Sequence, residues 1–292
     1  MKRLLLFVAL VWLAPGLAAQ VPLDSAALAL RGHAALVALD RYLETWNSRD
    51  GALWATSLHL PHVRPGPGAF EMTRTPEEYA KGVDFEQTLK TGWHHSEWVA
   101  REVLQVGVDK VHATGTWRRY TAEDKPLAGS DITYIITRQD NRWGVQARFA
   151  AGVTGLEDAA RSTSSAAALK AVTAFFDACN SHDLTRLVDA IHYPHVRVAD
   201  GSIEISRTAA DFRSGPEQGR LRTWFQTRLD SSRVVQVTAT GANIVVAFSR
   251  LGRDGRVLST DEGVFLAVVR EGVWKIQARS TMGSSRSEGP QA

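Results

Sequence analysis

The residues best suited to chemistry in this chain form a short cassette that occurs twice. His59-Leu60-Pro61-His62-Val63-Arg64, followed by Glu71, returns as His192-Tyr193-Pro194-His195-Val196-Arg197, followed by Glu204. Histidine titrates near neutrality and suits proton transfer. Arginine presents a planar fork that matches a carboxylate. Successive side chains of a strand alternate faces, so His62 and Arg64 share one face while His59 takes the other. The same holds for His195 and Arg197 against His192. A hairpin turning at Pro67-Gly68 and at Asp200-Gly201 sets Arg64 opposite Glu71 and Arg197 opposite Glu204. It also sets His62 opposite Thr73 and His195 opposite Ser206. Three readings are open. The cassette is a brace, with a cross-strand Arg–Glu pair worth about 0.2–1 kcal/mol and the histidine bonded to its Thr or Ser neighbour. Or it is a pocket wall, in which His62, Arg64, His195 and Arg197 bind an anionic or carbonyl group and His62 and His195 are the candidate acid–base residues. Or it is a metal site, but His59 and His62 point to opposite faces, unlike the pair in a helical His-Glu-Xaa-Xaa-His site, and no metal-ligand set is assigned.

The elements that must position these residues are repeated as well. Asn47-Ser48-Arg49-Asp50 returns as Asn180-Ser181-His182-Asp183, and Trp143-Gly144-Val145-Gln146-Ala147-Arg148 as Trp274-Lys275-Ile276-Gln277-Ala278-Arg279. The shift is 133 residues from His59 to His192 and 131 from Trp143 to Trp274. A two-residue deletion between Tyr79/Phe212 and Trp93/Trp224 accounts for the difference. Solenoid units run to roughly 20–50 residues, so this period marks a duplicated domain with its own core. The division is copy 1 at 30–151, a linker at 152–165, copy 2 at 166–283, and an unstructured tail at 284–292.

Within a copy, Leu36, Leu39, Leu43 and Trp46, or Leu169, Val172, Phe175, Phe176 and Cys179, mark one apolar helix face. Asn-Ser-Xaa-Asp ends that helix, and Asp50 or Asp183 caps a second one at 51–58 or 184–191. A third helix is expected near 75–91 or 208–223. Alternating runs near 97–107, 110–121, 129–139 and 142–149 read as an antiparallel meander, repeated near 231–239, 242–251, 256–269 and 272–281. On the last strand, strict alternation puts Trp143, Val145, Ala147 and Phe149 against the helices. It leaves Arg148 and Arg279 exposed or at an interface between the copies. The fold class is α+β.

The ends and the composition bound the function. Lys2-Arg3 precede an apolar run from Leu4 to Leu13, closed by Pro15-Gly16 and Leu17-Ala18-Ala19. This reads as a signal peptide over 1–19, too short to span a bilayer, and points to a secreted or periplasmic protein without a membrane anchor after cleavage. Cys179 is the one cysteine, which excludes an intrachain disulfide and reads as a buried small apolar side chain. Without Lys2 and Arg3 the formal net charge of +3 becomes +1. No concentrated basic face for nucleic acid is present, and the Arg118-Arg119 doublet reads as solvated. No nucleophile elbow, phosphate loop or dinucleotide fingerprint occurs, so no cofactor is expected.

The order helix, short helix, hairpin, helix and long meander, with helix one running into Asn-Ser-Xaa-Asp, resembles the nuclear transport factor 2-like superfamily. That group includes SnoaL-like cyclases, ketosteroid isomerases and scytalone dehydratase. The resemblance spans nearly all of each copy. It implies two tandem conical domains, each with about three helices on a curved, mostly antiparallel sheet that often leaves a pocket at one end. It also implies pairing through the sheets, here as a pseudo-dimer within one chain. The isomerase general base aligns near Asp200 and Pro67, and Asp200 before Gly201 reads as a turn residue. The expected function is binding of a small, partly apolar molecule. The alternatives are an isomerase, cyclase or dehydratase using histidine, and a non-catalytic structural or interaction module. Arg49, Trp54 and His94 become His182, Leu187 and Phe225, so one copy can hold a site while the other serves as scaffold.

Overall fold

Helix α1 (Ser25–Asn47) starts where the Asp24 side chain accepts the Ala27 N–H at 2.7 Å. It buries Ala35, Leu39, Leu43 and Trp46 along one side. Its counterpart α5 (Asp158–Asn180) buries Val172, Phe175, Phe176 and Cys179, the face that three- and four-residue spacing marks. This computed structural model describes residues 24–68, 70–152, 157–199, 201–283 and 285–286. The leader, residues 1–19, and Asp200 lie outside them. Helix α5 begins inside the stretch expected to be linker, since residues from Asp158 onward are already helical.

The Asn-Ser-Xaa-Asp segment works as a local device in both copies. Asn47 clamps the backbone of Ser96 from both sides, with Nδ2 on the carbonyl at 2.8 Å and Oδ1 on the N–H at 2.9 Å. Asn180 does the same to Thr227. Asp50 and Asp183 then cap α2 (Gly51–Ala55) and α6 (Leu184–Asp189). The hairpin follows as β1 (Leu58–Arg64) with β2 (Glu71–Thr73), and β7 (Ile191–Ala199) with β8 (Ser202–Ser206). Its register is the expected one: His62 faces Thr73, Arg64 faces Glu71, His195 faces Ser206 and Arg197 faces Glu204.

The third helix differs from expectation, because it is two short helices in each copy. In copy 1 these are α3 (Pro76–Lys81) and α4 (Phe85–Leu89), separated by Gly82 at the end of one and Asp84 capping the next. In copy 2 they are α7 (Ala209–Ser214) and α8 (Glu217–Arg220), broken at Gly215-Pro216. The meanders are β3 (His95–Val106), β4 (Lys110–Tyr120), β5 (Pro126–Gln139) and β6 (Arg142–Ala150), then β9 (Gln226–Val237), β10 (Gly241–Leu251), β11 (Val257–Arg270) and β12 (Val273–Thr281). Sheet one has the order β2-β1-β6-β5-β4-β3 and sheet two β8-β7-β12-β11-β10-β9, with β1 parallel to β6 and β7 parallel to β12. In the segment expected to be a tail, β13 (Ser285–Arg286) pairs with β11. Each copy is thus an α+β domain in which a largely antiparallel sheet packs on helices. Among the described residues no helix is long and apolar enough to cross a membrane.

A bulge in the last strand decides which side chains reach the helices. Ile135 pairs with Ala147, but the next residue, Ile136, pairs with Val145, so Gln146 is skipped. Copy 2 repeats this, with Leu266 on Ala278 and Ala267 on Ile276, skipping Gln277. One extra residue flips every side chain beyond it. Val145 and Ile276 therefore stay in the helix-side cores, while Ala147, Phe149 and Ala278 belong to a third core between the sheets. The expectation that Ala147 and Phe149 pack on the helices, and that Arg148 and Arg279 lie outside, is corrected accordingly. Both arginines turn inward beneath the helices.

The third core joins Val63, Ile135 and Phe149 of sheet one to Val196, Leu266 and Ala278 of sheet two. Polar groups cross it in matched pairs. His112 Nε2 meets Ser280 Oγ at 2.8 Å, and at the equivalent positions Asn243 Nδ2 donates to the Phe149 carbonyl at 2.8 Å.

Candidate functional site

In copy 1 the break between α3 and α4 opens onto a cavity of about 340 Å³ beneath α1. Gly82, Val83 and Thr88 border it on the helix side, and Trp46, Trp54 and Trp117 wall it with aromatic surface. Ser96, held by Asn47, fixes two neighbouring indoles, accepting from Trp46 Nε1 at 3.1 Å and from Trp93 Nε1 at 3.0 Å. Trp54 Nε1 is buried and has no hydrogen-bond partner among the described residues.

Arg148 lies at the base of this cavity with 7% of its surface exposed. Its Nε donates to His62 Nε2 at 3.3 Å, Nη2 donates to the Tyr79 hydroxyl at 3.3 Å, and Nη1 donates to the Tyr42 hydroxyl. The guanidinium also stands over the Tyr42 and Trp54 rings at 5.4 and 5.6 Å. Desolvation works against its charge, but the Tyr42, Tyr79 and Tyr134 hydroxyls, with the more distant Glu71 carboxylate, outweigh that and hold its pKa above the ordinary value. Burial pushes the Tyr79 and Tyr134 hydroxyls up, so both are neutral near pH 7. Arg148 is therefore a buried cation whose hydrogen-bond partners are all neutral.

The predicted site residues are placed as follows. His62 is buried behind Arg148 rather than bonded to Thr73. Its Nδ1 donates to the Val145 carbonyl at 3.1 Å, which leaves Nε2 to accept from Arg148. Burial, then Arg148 and Arg64, keep its pKa well below the usual histidine value. Both ring nitrogens are committed. Arg64 lines the cavity and pairs with Glu71 at 2.7 Å, partly in solvent. His195 is buried beside the Ile276 backbone, and burial ahead of Arg279 lowers its pKa to about 3. Arg197 pairs with Glu204 at 2.9 Å. Only Arg64 of the four borders the cavity, and no bond from histidine to the opposite Thr or Ser forms.

Two arginines that matter most were assigned other places in the sequence. Strict alternation sets Arg148 on the opposite face, because a bulge cannot be seen in a period-two pattern. Arg119, half of the doublet read as solvated, lines the cavity, with its guanidinium 5.1 Å from the Trp46 ring centre and 5.3 Å from that of Trp117. Its Nε is buried and has no hydrogen-bond partner among the described residues. Cys179 is buried, and burial pushes its thiol up to about 12, as suits an apolar packing residue.

A second hollow of about 470 Å³ lies on the other side of β1, bordered by His59, Arg41 and Arg142. His59 bonds Thr137 Oγ1 at 2.8 Å, and Arg142 donates to the Leu58 carbonyl at 2.8 Å. Burial ahead of Arg142 lowers the His59 pKa to about 4.

An aromatic-walled cavity thus lies between the helices and the sheet of copy 1, within a chain whose two halves share one α+β topology. Residues 35–151, within the first copy, match the family described as NTF2-like protein (DUF6841). Among solved structures, an uncharacterised protein with a cystatin-like fold from Caulobacter vibrioides is similar at 22% identity and a TM-score of 0.34, covering 42% of this chain and 91% of its own. Hexachlorocyclohexane dehydrochlorinase LinA-type3 from Novosphingobium barchaimii LL02 is similar at 15% identity and a TM-score of 0.38, covering 46% of this chain and 96% of its own. No curated protein matches the sequence.

Proposed function

We propose that the first copy binds a small, partly apolar molecule in the cavity above Arg148, and that the second copy serves as its scaffold. The observation that carries this is the buried Arg148 cation, held only by neutral groups, at the base of an aromatic-walled space. A buried charge without a counter-ion is costly, and an anionic or strongly accepting ligand group offsets that cost. The counterpart cavity wall in copy 2 is apolar where copy 1 carries hydroxyls and indole: Phe175 for Tyr42, Phe212 for Tyr79 and Leu187 for Trp54.

Binding rather than turnover is favoured by His62. Its nitrogens are both engaged and the neighbouring arginines oppose protonation, so it positions Arg148 instead of carrying protons. Lys2-Arg3 and the apolar run to Leu13 support export, placing the ligand outside the cytoplasm. The test is native mass spectrometry of the full chain from its source, beside Val83→Trp at the cavity mouth. A small molecule retained by the wild type and lost in the variant supports the reading. Equal retention by both, or none by either, refutes it.

A further inference from the structure

We propose that the ligand of the first copy is a small aromatic carboxylate, seated on Arg148 as Glu217 is seated on Arg279. This rests on reading the copy 1 cavity as a ligand site. The duplication supplies an internal comparison, because Arg148 and Arg279 hold the same place beyond the same bulge. In copy 2 the Glu217 Oε1 atom stands 2.5 Å from Arg279 Nη2 and 2.7 Å from Arg220. Burial alone would raise the Glu217 pKa; Arg279 and Arg220 outweigh that and bring it to about 2, so the group is a carboxylate at neutral pH. Glu217 lies where the shift between the copies passes from 133 to 131 residues, which sets it against Asp84 or Glu86, both exposed, with Asp84 on the rim of the cavity. Asp84 is exposed and its carboxylate accepts the Gln87 N–H at 2.7 Å as the cap of α4. It does not reach Arg148, and among the described residues Arg148 forms no ion pair.

The same difference recurs at a second position. Arg119 corresponds to Arg250, and Ser130 to Asp261. The charge of Asp261 supports that of Arg250 in copy 2. In copy 1 the equivalent Ser130 borders the cavity beside Arg119 and brings no charge. Copy 2 therefore provides from its own chain a carboxylate for each inward arginine, whereas in copy 1 Glu71 acts on Arg148 only from a distance while paired with Arg64, and Asp84 on the cavity rim caps α4.

The rest of the wall sets the ligand's body. Trp46, Trp54 and Trp117 present flat apolar surface, suited to a planar ring. The carboxylate on Arg148 then gains charge-assisted hydrogen bonds inside a water-poor site, with no covalent step. Arg119 is within the same cavity for a second acceptor on the ring.

The experiment titrates benzoate, phenylacetate, cinnamate, 1-naphthoate and indole-3-acetate, each beside its primary amide, into the refolded, ligand-free full chain. Calorimetry and tryptophan fluorescence read the affinity. The expected result is that at least one acid binds tenfold or more tightly than its amide, and that Arg148→Gln abolishes this preference while the amide's affinity stays. Arg148→Lys, which keeps the charge, retains part of the preference, and the wild-type acid-to-amide ratio needs no variant to fold. Equal affinity of acids and amides overturns the carboxylate assignment while leaving small-molecule binding intact. Absence of binding by every acid and every amide overturns both.

Discussion

Replacing the two equivalent arginines by methionine is expected to affect the two copies unequally. In copy 2, Arg279→Met removes one of the two cations that hold the Glu217 carboxylate, whose side chain is 9% exposed. Breaking a buried ion pair costs about 3–5 kcal/mol, and Arg220 remaining on Glu217 reduces this to about 2–3 kcal/mol. In copy 1, Arg148→Met gives up hydrogen bonds to two tyrosine hydroxyls and the longer one to His62, each worth about 1 kcal/mol net at most. It also removes a buried charge that has no counter-ion, a relief of comparable size, so the ligand-free variant stays within about 1 kcal/mol of the wild type. A difference of about 2 kcal/mol between the variants corresponds to about 4–8 °C in Tm at the scale of 2–4 °C per kcal/mol. Scanning calorimetry of the stripped full chain at pH 7 measures it. Equal destabilisation by both substitutions would refute the claim that Arg148 lacks a protein counter-ion.

Other outcomes follow from single groups. His195 is neutral when buried, with a pKa of about 3 against 6.5 unfolded, so the unfolded chain binds the extra proton at intermediate pH. Its contribution is full above pH 6.5 and is lost as the pH falls towards 3, at about 1.4 kcal/mol per pH unit; denaturant titrations of the wild type and His195→Phe across this window are expected to differ by that slope. Asp50→Ala removes an N-cap that accepts from Ala52 and Leu53, and urea unfolding is expected to show a loss of about 1 kcal/mol. Gly115→Ala would set a Cβ 2.6 Å from Trp98 Cζ3 and 3.0 Å from Tyr134 Cε2, so thermal unfolding is expected to register a loss of about 1–3 kcal/mol from overpacking.

The parts legible in the sequence are those governed by neighbours. Asp50 and Asp183 cap because a short side chain at that position can reach the next N–H groups. The pairing of Arg64 with Glu71 and of Arg197 with Glu204 follows from turn position and the period of two. The parts that were not legible depend on distant partners. The bulge at Gln146 is held by Nε2 on the Pro61 carbonyl at 2.6 Å, a contact 85 residues apart in the chain. It reverses the faces of Ala147, Arg148 and Phe149, and so brings Arg148 rather than His62 to the cavity wall. Gly82 and Gly215-Pro216 divide what the expected single span treats as one helix, and each piece is too short to show a period of its own.

The matched contacts across the third core carry an evolutionary consequence. In a two-fold homodimer every substitution is made in both subunits, and each interface position must satisfy itself and its image. Joined in one polypeptide, the halves escape that rule. His112 reaches Ser280 by its side chain, while its image Asn243 reaches only the backbone of Phe149. Once such symmetry is released, a gene can retire one chamber by acquiring Glu217 and Asp261 without touching the other. A substitution that fills the first chamber likewise leaves the second standing as a folded brace, so change in one half need not mean loss of the protein.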